Sequence, residues 1–253
     1  MNNLVSINIV THNRAHYLGA AIKSVLAQSY DNWELIIIDD ASTDNTGEII
    51  KKFLADKRIK YFLVEKQASV AAVRNLALSK SSGEHLAVLD SDDLWIDSDK
   101  LIKQVEFLVN NPDYSLVGGG AKIIDADDKL IETIKKPLTD KEIRKVFLEK
   151  NPFFHSSILT RLELVKKLGG YDEQFLYGDD MDLCLMLGRE HKVGNLNDIL
   201  ISYRRHDDNE AAKQPKEAVF GVFKVIAKNR KAYKASILVY LKKIIGKARE
   251  LLT

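Results

Sequence analysis

Three aspartates in four residues, Asp90-Ser91-Asp92-Asp93, follow directly on the apolar run Leu86-Ala87-Val88-Leu89. The run has the length of a buried strand and is too short for a helix. Carboxylates gathered at a buried strand end repel one another strongly in a low dielectric, and their charge is held there only against something positive. A hard divalent cation with oxygen ligands does this, and it keeps coordination positions open for phosphate oxygens. The cluster therefore points to a metal that grips a diphosphate. A polar turn with an aspartate capping the next helix would use the same residues.

Two more polar groups end apolar runs: Thr11-His12-Asn13-Arg14 after Val5–Val10, and Asp39-Asp40 after Leu35–Ile38. Between the runs lie helical patterns. Ala15–Gln28 places Leu18, Ile22, Val25 and Leu26 on one face. Thr46–Leu54 reads as a helix capped near Ser42 or Asp44, Ile59–Val64 as a strand, and Val70–Leu78 as a helix. Strand–helix alternation predicts a mostly parallel sheet covered on both faces. In such sheets ligands bind beyond the carboxyl ends of the strands, so the three polar groups belong to one site. The middle is more mixed. Lys100–Val109, Lys141–Glu149 and Asp182–Arg189 read as helices; Phe154–Leu159 and Ile199–Tyr203 read as strands; Tyr114–Ile124 has strand signals interrupted by Gly118-Gly119-Gly120.

The chain of 253 residues, 45% hydrophobic, has room for one large domain or a domain with an appendage. Its single cysteine, Cys184, has no internal partner, which fits a reducing compartment. The start, Met1-Asn2-Asn3-Leu4, lacks the basic and apolar regions of a secretory signal, and no run reaches the ~20 apolar residues of a membrane span. A cytoplasmic location is the expectation, extending to the inner face of the plasma membrane. The net charge of +2 hides an asymmetry: from Lys213 onward there are eleven Lys or Arg against two Glu, so the remainder is acidic. Tyr233, Ile237, Tyr240, Leu241, Ile244 and Ala248 fall at helical spacing beside Lys231, Lys242 and Arg249. Such a helix suits an anionic membrane surface, and it equally suits packing on the main domain or on a second subunit of a homodimer.

Val5–Arg14 and Leu35–Asp44 resemble the opening strands of family 2 glycosyltransferases with the GT-A fold. Arg74-Asn75, Gly83, the Asp90–Asp93 cluster, Gly169-Gly170-Tyr171-Asp172-Glu173 and Asp179-Asp180-Met181-Asp182-Leu183 follow in the order of that family, so the resemblance runs from about Val5 to Asn209. It implies an inverting glycosyltransferase with an α/β GT-A fold: a Rossmann-like, mostly parallel central sheet flanked by helices, with a C-terminal helical extension. Residues 1–210 would form the catalytic domain, 1–100 the nucleotide-sugar half and 101–210 the acceptor half, with 211–253 as a basic helical tail. The resemblance assigns nucleotide-sugar contacts to Thr11, His12, Asn13, Arg14, Asp39, Asp40, Arg74, Asp90 and Ser91. Thr11 and Asp39 would read the base edge, and Arg74 would pair with the diphosphate.

Asp92 is the first choice for metal ligand, with Asp90 and His206 as the others and Mn2+ or Mg2+ as the ion. Asp93 would shape the donor pocket or cap the following helix. Asp180 is the candidate general base and Asp179 the second candidate; like charge between them would raise the pKa of Asp180. His155 would border the acceptor. The expected donor is a nucleotide-sugar, a UDP-sugar first, and the acceptor a glycan or lipid-linked glycan of surface polysaccharide synthesis. The chain departs from the family at Gln67 and Ser69, where Asn and Gly are common, and at Met186, where Arg is common. His12 replaces a frequent aromatic.

Other classes fit less well. Thr11–Arg14 stands where a dinucleotide-binding enzyme has G-x-G-x-x-G, and the phosphate loop G-x-x-x-x-G-K-S/T is absent. A sugar nucleotidylyltransferase would have a Gly-rich loop with a basic residue after the first strand. A non-catalytic carbohydrate-binding protein of the same fold would have lost Asp92 or Asp180, and both are present. Nucleic-acid binding would rest on the basic tail alone.

Overall fold

The computed structural model describes residues 3–207, 209 and 213–233. In its first half β1 (Val5–Thr11), β2 (Trp33–Asp40), β3 (Ile59–Val64) and β4 (His85–Val88) lie in the order β3-β2-β1-β4, all parallel. Every residue of β2 is buried, as its isoleucine run requires of a strand covered on both faces. Alternation splits the run. Leu35 and Ile37 pack with Leu18, Ile22 and Val25 of α1 (Ala15–Leu26), while Ile36 and Ile38 pack with Val73 and Ala77 of α3 (Val70–Lys80). The Ser69 side chain caps α3 by accepting the Ala72 N–H. α2 (Thr46–Lys51) is shorter than its sequence pattern, and Asp44 does serve its start by accepting the Thr46 N–H at 2.9 Å.

The second half mixes strand directions. β4 pairs antiparallel with β8 (Leu159–Arg161), and β8 antiparallel with β6 (Tyr114–Ile124). β6 runs parallel to β9 (Lys192–Arg204), whose other edge holds β5 (Leu94–Trp95) antiparallel; β7 (Leu130–Ile134) pairs with β6 off this path. The glycine triplet does not interrupt β6. It permits a close approach: a Cβ at Gly119 would lie 2.5 Å from Leu200, and one at Gly118 2.5 Å from Asn195 of the neighbouring β9. The run 154–159 is not one strand. A 3-10 turn occupies His155–Ser157 because Trp95 and Gln104 take its carbonyls, Trp95 Nε1 donating to Ser156 O at 2.8 Å and Gln104 Nε2 to Ser157 O at 2.8 Å. β9 extends far beyond 199–203 toward its N-terminus.

The remaining helices are α4 (Lys100–Asn110), α5 (Asp140–Val146), α6 (Leu162–Lys167), α7 (Asp179–Glu190) and α8 (Pro215–Asn229). α5 begins with a Thr139–Glu142 capping box. α8 docks on α7 through the fully buried Asp182, which accepts from Lys228 Nζ at 2.6 Å and Asn229 Nδ2 at 2.8 Å. Tyr233 continues that contact, its hydroxyl donating to Leu185 O at 2.6 Å and its ring meeting Phe147. The tail positions Ile237, Tyr240, Leu241, Lys242, Ile244, Ala248 and Arg249 lie outside the described residues. No helix among the described residues is long and apolar enough to cross a membrane.

Candidate active site

The carboxyl ends of β1, β2 and β4 converge. Thr11 stands opposite Asp39 in the β1–β2 register, and its buried hydroxyl has no hydrogen-bond partner among the described residues. Asp39 is 1% exposed and holds its own turn, accepting the Ser42 N–H at 2.9 Å and the Tyr61 hydroxyl at 3.0 Å. Asp40 pins the following strand end, pairing with Lys66 at 2.6 Å and accepting the Gln67 N–H at 2.7 Å. His12 Nδ1 lies 2.8 Å from the Asp40 carbonyl. Asn13 sits at φ +52° and clamps the 42–44 loop, its Oδ1 accepting from Thr43 N at 2.8 Å. Arg14 Nε reaches to 3.8 Å from Asp92 Oδ2.

The turn after β4 is held from two sides. Ser156 Oγ accepts the Asp90 N–H at 3.1 Å and donates to Asp93 Oδ2. From β9, the Arg204 N–H donates to Asp93 Oδ1 at 2.8 Å and its Nε to Asp92 O at 2.9 Å. Burial, with Asp92 and Asp90 adding to it, pushes the Asp93 carboxyl well up, so this aspartate is a buried hinge of the turn with its oxygens already taken. Asp90 goes the other way. Burial pushes it up, but the His155 and Arg74 side chains outweigh that and hold it well below the usual carboxylate range. Asp92 is raised by burial and by Asp90, against His206 and Arg14. Its Oδ2 lies 3.0 Å from His206 Nε2 and 3.3 Å from Asn209 Nδ2.

The third wall is the start of α7. Gly178 takes φ +85°, a conformation glycine adopts without strain, and turns the chain so that Asp179 and Asp180 open the helix. Both acids suit a helix N-terminus. Their surroundings separate them. Arg74 of α3 donates to Asp179 Oδ2 at 2.6 Å and to Asp90 Oδ1 at 3.2 Å, bridging α7 to the end of β4. Asn75 beside it clamps the Tyr171 peptide, accepting the Tyr171 N–H and donating to the Tyr171 carbonyl, each at 2.9 Å. Asp180 has no cation partner among the described residues; Asn151 Nδ2 donates to its Oδ2 at 3.2 Å. Burial pushes its carboxyl up and Asp179 adds to that, with His155 and Arg74 opposing. His155 Nε2 is 2.9 Å from the Tyr171 hydroxyl, and its Nδ1 is 3.6 Å from Asp90.

Of the three expected metal residues, Asp92 and His206 meet and Asp90 turns toward Arg74 and His155. Among the described residues no three His, Cys, Asp or Glu side chains form a ready-made ligand set. One carboxylate oxygen and one imidazole nitrogen facing the same space is nevertheless a donor pair that suits Mn2+, with further positions left to phosphate oxygen and water. A cation there would also offset the burial that raises Asp92. Ser91 is buried in the turn after β4. Sequence reasoning missed Ser156, Arg204, Asn151 and Asn209 as site supports. The Tyr203-Arg204-Arg205-His206 run held one usable signal, since a buried strand carrying adjacent arginines needs carboxylate or carbonyl partners.

Residues 6–169 match the family model described as Glycosyl transferase family 2. The EpsE protein of Bacillus subtilis, named as a glycosyltransferase, is 33% identical over 219 residues, covering 83% of this chain and 75% of that one. An uncharacterized glycosyltransferase of Rickettsia bellii is 30% identical, covering 87% of this chain, which spans only 31% of that protein's length. An Escherichia coli protein named UDP-Glc:alpha-D-GlcNAc-diphosphoundecaprenol beta-1,3-glucosyltransferase WfgD is 43% identical over 122 residues, 48% of this chain and 47% of its own. Among solved structures, S. aureus TarS with UDP-GlcNAc superposes with a TM-score of 0.72 at 17% identity, covering 88% of this chain and 66% of TarS. The mannosyltransferase PcManGT of Pyrobaculum calidifontis, with GDP-Man and Mn2+, gives 0.69 at 19% identity, over 88% and 63%.

Proposed function

The chain belongs to glycosyl transferase family 2 and has the GT-A fold, and on that premise we propose that it is an inverting, metal-dependent glycosyltransferase. The donor is a nucleotide-sugar, a UDP-sugar first. The acceptor is a hydroxyl of a glycan or lipid-linked glycan in polysaccharide synthesis. The names of the Escherichia coli relative and of TarS's bound donor support that choice. The observation that carries the reading is how the carboxylates are divided. Asp179 is neutralised by Arg74, Asp93 is bound by Ser156 and Arg204, and Asp90 is held ionised by Arg74 and His155. Asp180 and Asp92 are half-buried and raised by that burial, Asp180 with the Asn151 amide on its Oδ2 and Asp92 facing His206, so one is fit to take a proton and the other a cation.

Asp180 takes the proton of the acceptor hydroxyl as that oxygen attacks the anomeric carbon. The new glycosidic C–O bond forms on the face opposite the departing nucleoside diphosphate, whose bond to the anomeric carbon breaks, so configuration inverts. Positive charge builds on the ring in the transition state. Thr11, through its buried hydroxyl, and Asp39 receive the base; His12 stacks near it; Asn13 and Asp40 fix the loops around it. Arg14 and Arg74 put positive charge where the diphosphate leaves. Asp92 and His206 would hold a divalent cation, which when bound stabilises the developing diphosphate charge. Residues 1–100 serve the donor and 101–210 the acceptor, and the basic run from Lys213 onward contacts an anionic membrane surface at the inner face of the cell.

The test is nucleoside diphosphate release from UDP-, dTDP- and GDP-sugars, with Mn2+ and with EDTA, for the wild type and Asp92→Ala. Release from one donor, abolished by EDTA and by the substitution, is the expected result. Metal-independent release at full rate in Asp92→Ala would overturn the reading.

A further inference from the structure

Lys136, in the loop between β7 and α5, is half-buried. Its ammonium donates to the Asn151 carbonyl at 2.9 Å and lies 4.1 Å from the centre of the Phe154 ring. No carboxylate among the described residues is within ion-pair reach of it or of Lys150. A lysine stem covering an aromatic ordinarily carries its charge out to water. Here the charge is kept in, against the cost of burying it unpaired. Burial, with Lys150 adding to it, pushes the Lys136 ammonium down to about 8.

The loop is held in place. Buried Asn195 of β9 donates through Nδ2 to Pro137 O at 2.7 Å and to Pro152 O at 3.2 Å, tying the segment of Lys136 to the segment of Asn151 and Phe154. The Asn195 N–H donates to Leu138 O at 3.0 Å on the same loop. Asn151 then joins Lys136 to the proposed base, its carbonyl taking the lysine and its Nδ2 reaching Asp180. Phe154 and Tyr203, both half-buried, stand with ring centres 5.6 Å apart, and Tyr203 is close enough to Asp92 and Asp180 to feel their charge. Lys136, partly dehydrated and bonded to a neutral carbonyl, with the exposed Lys150 close enough to act on its charge, creates a demand for an anion that no described carboxylate meets.

We propose that Lys136 and Lys150 form an anion subsite on the acceptor side, taking the phosphate or carboxylate of a charged acceptor glycan whose sugar ring rests on Phe154 and Tyr203. The inference rests on reading the Asp180 side as the acceptor side. It deepens that reading by naming the acceptor's chemistry: a neutral sugar would leave the half-buried Lys136 charge without an anionic partner.

The test is calorimetric titration of the full chain, with UDP and Mn2+ present to occupy the donor side, by three probes. These are methyl β-glucoside, methyl β-glucuronide and the methyl phosphodiester of glucose 1-phosphate. The expected result is that a charged probe binds at least about tenfold more tightly than the neutral one. Preference for the phosphodiester assigns phosphate, and preference for the glucuronide assigns carboxylate. Lys136→Gln and Lys150→Gln should each remove the preference, and Lys136→Arg should restore it. Lys135→Gln should leave it, since Lys135 pairs with Asn197. UDP affinity and a thermal melt report whether each variant is folded. Equal binding of charged and neutral probes, no binding of any probe, or an unchanged preference in folded Lys136→Gln overturns the proposal. Because the readout is binding, a charge preference without nucleoside diphosphate release would sink the transferase reading alone, and release without the preference would sink the subsite alone.

Discussion

Asp180 and Asp179 are chemically identical neighbours, and their roles separate because Arg74 reaches only one of them. Burial and Asp179 raise the Asp180 carboxyl in the folded chain, while in the unfolded chain it titrates near the reference value of about 3.9. A carboxyl raised by folding holds its proton more tightly when folded, so at neutral pH its ionised form costs stability. Asp180→Asn should therefore melt at a higher temperature than the wild type at pH 7.5 while losing sugar transfer. The gain should shrink as pH falls through the raised pKa, and vanish below about 4, where Asp180 is protonated folded and unfolded alike. Melting curves across pH check this. An unchanged or lower melting temperature at pH 7.5 would mean that the carboxylate is already satisfied and is a poor candidate for the base. This residue and Asp92 were legible from spacing and family resemblance. Ser156, Arg204 and Asn151 were not, because they reach the carboxylates across separations of 66, 111 and 29 residues, and contacts that distant leave no local periodicity.

Single bonds between elements assemble the site from pieces that are separately ordinary. Arg74 ties α3, α7 and the end of β4 together, with its side chain 13% exposed between Asp179 and Asp90. Removing one partner of a buried ion pair leaves uncompensated charge, at about 3–5 kcal/mol. Arg74→Met should lose stability in that range by denaturant unfolding, with Asp179→Leu added in the same chain recovering part of it. A loss under about 1 kcal/mol would show that the arginine does not hold α7 to the sheet. The sequence announced β1 to β4 clearly, since each is an apolar run bounded by polar residues. It was less clear where tertiary bonds override local pattern. The 154–159 run has strand composition, yet its carbonyls are claimed by Trp95 and Gln104 and its Ser156 by Asp90 and Asp93, which turns it into a short helix. The Gly118–Gly120 triplet looked like a break because glycine weakens isolated strands; its purpose, letting β6 and β9 approach, is visible only once the partner strand is known.

At the scale of the molecule, the charge asymmetry was fully legible and its structural use only partly so. α8 spends one of its basic residues internally, Lys228 binding Asp182 and Asp172 on and beside α7. That contact joins the basic end of the chain to the helix that begins with Asp179 and Asp180. Five of the eleven basic residues from Lys213 onward lie beyond Tyr233. A lysine or arginine near an anionic bilayer contributes about 1 kcal/mol, and the attraction fades within about 10 Å at 0.1 M salt. A basic run attached to the acceptor-side helix would thus hold the proposed acceptor site close to a lipid-linked glycan without any spanning segment. The full chain should co-sediment with phosphatidylglycerol vesicles at about 0.1 M salt, remain in solution with phosphatidylcholine, and be released at about 1 M salt, where the screening length falls to about 3 Å. A chain ending at Tyr233 should retain its fold and bind measurably less. Equal pelleting of the two forms, or pelleting insensitive to salt, would separate the basic run from the membrane and leave the acceptor to reach the site from solution.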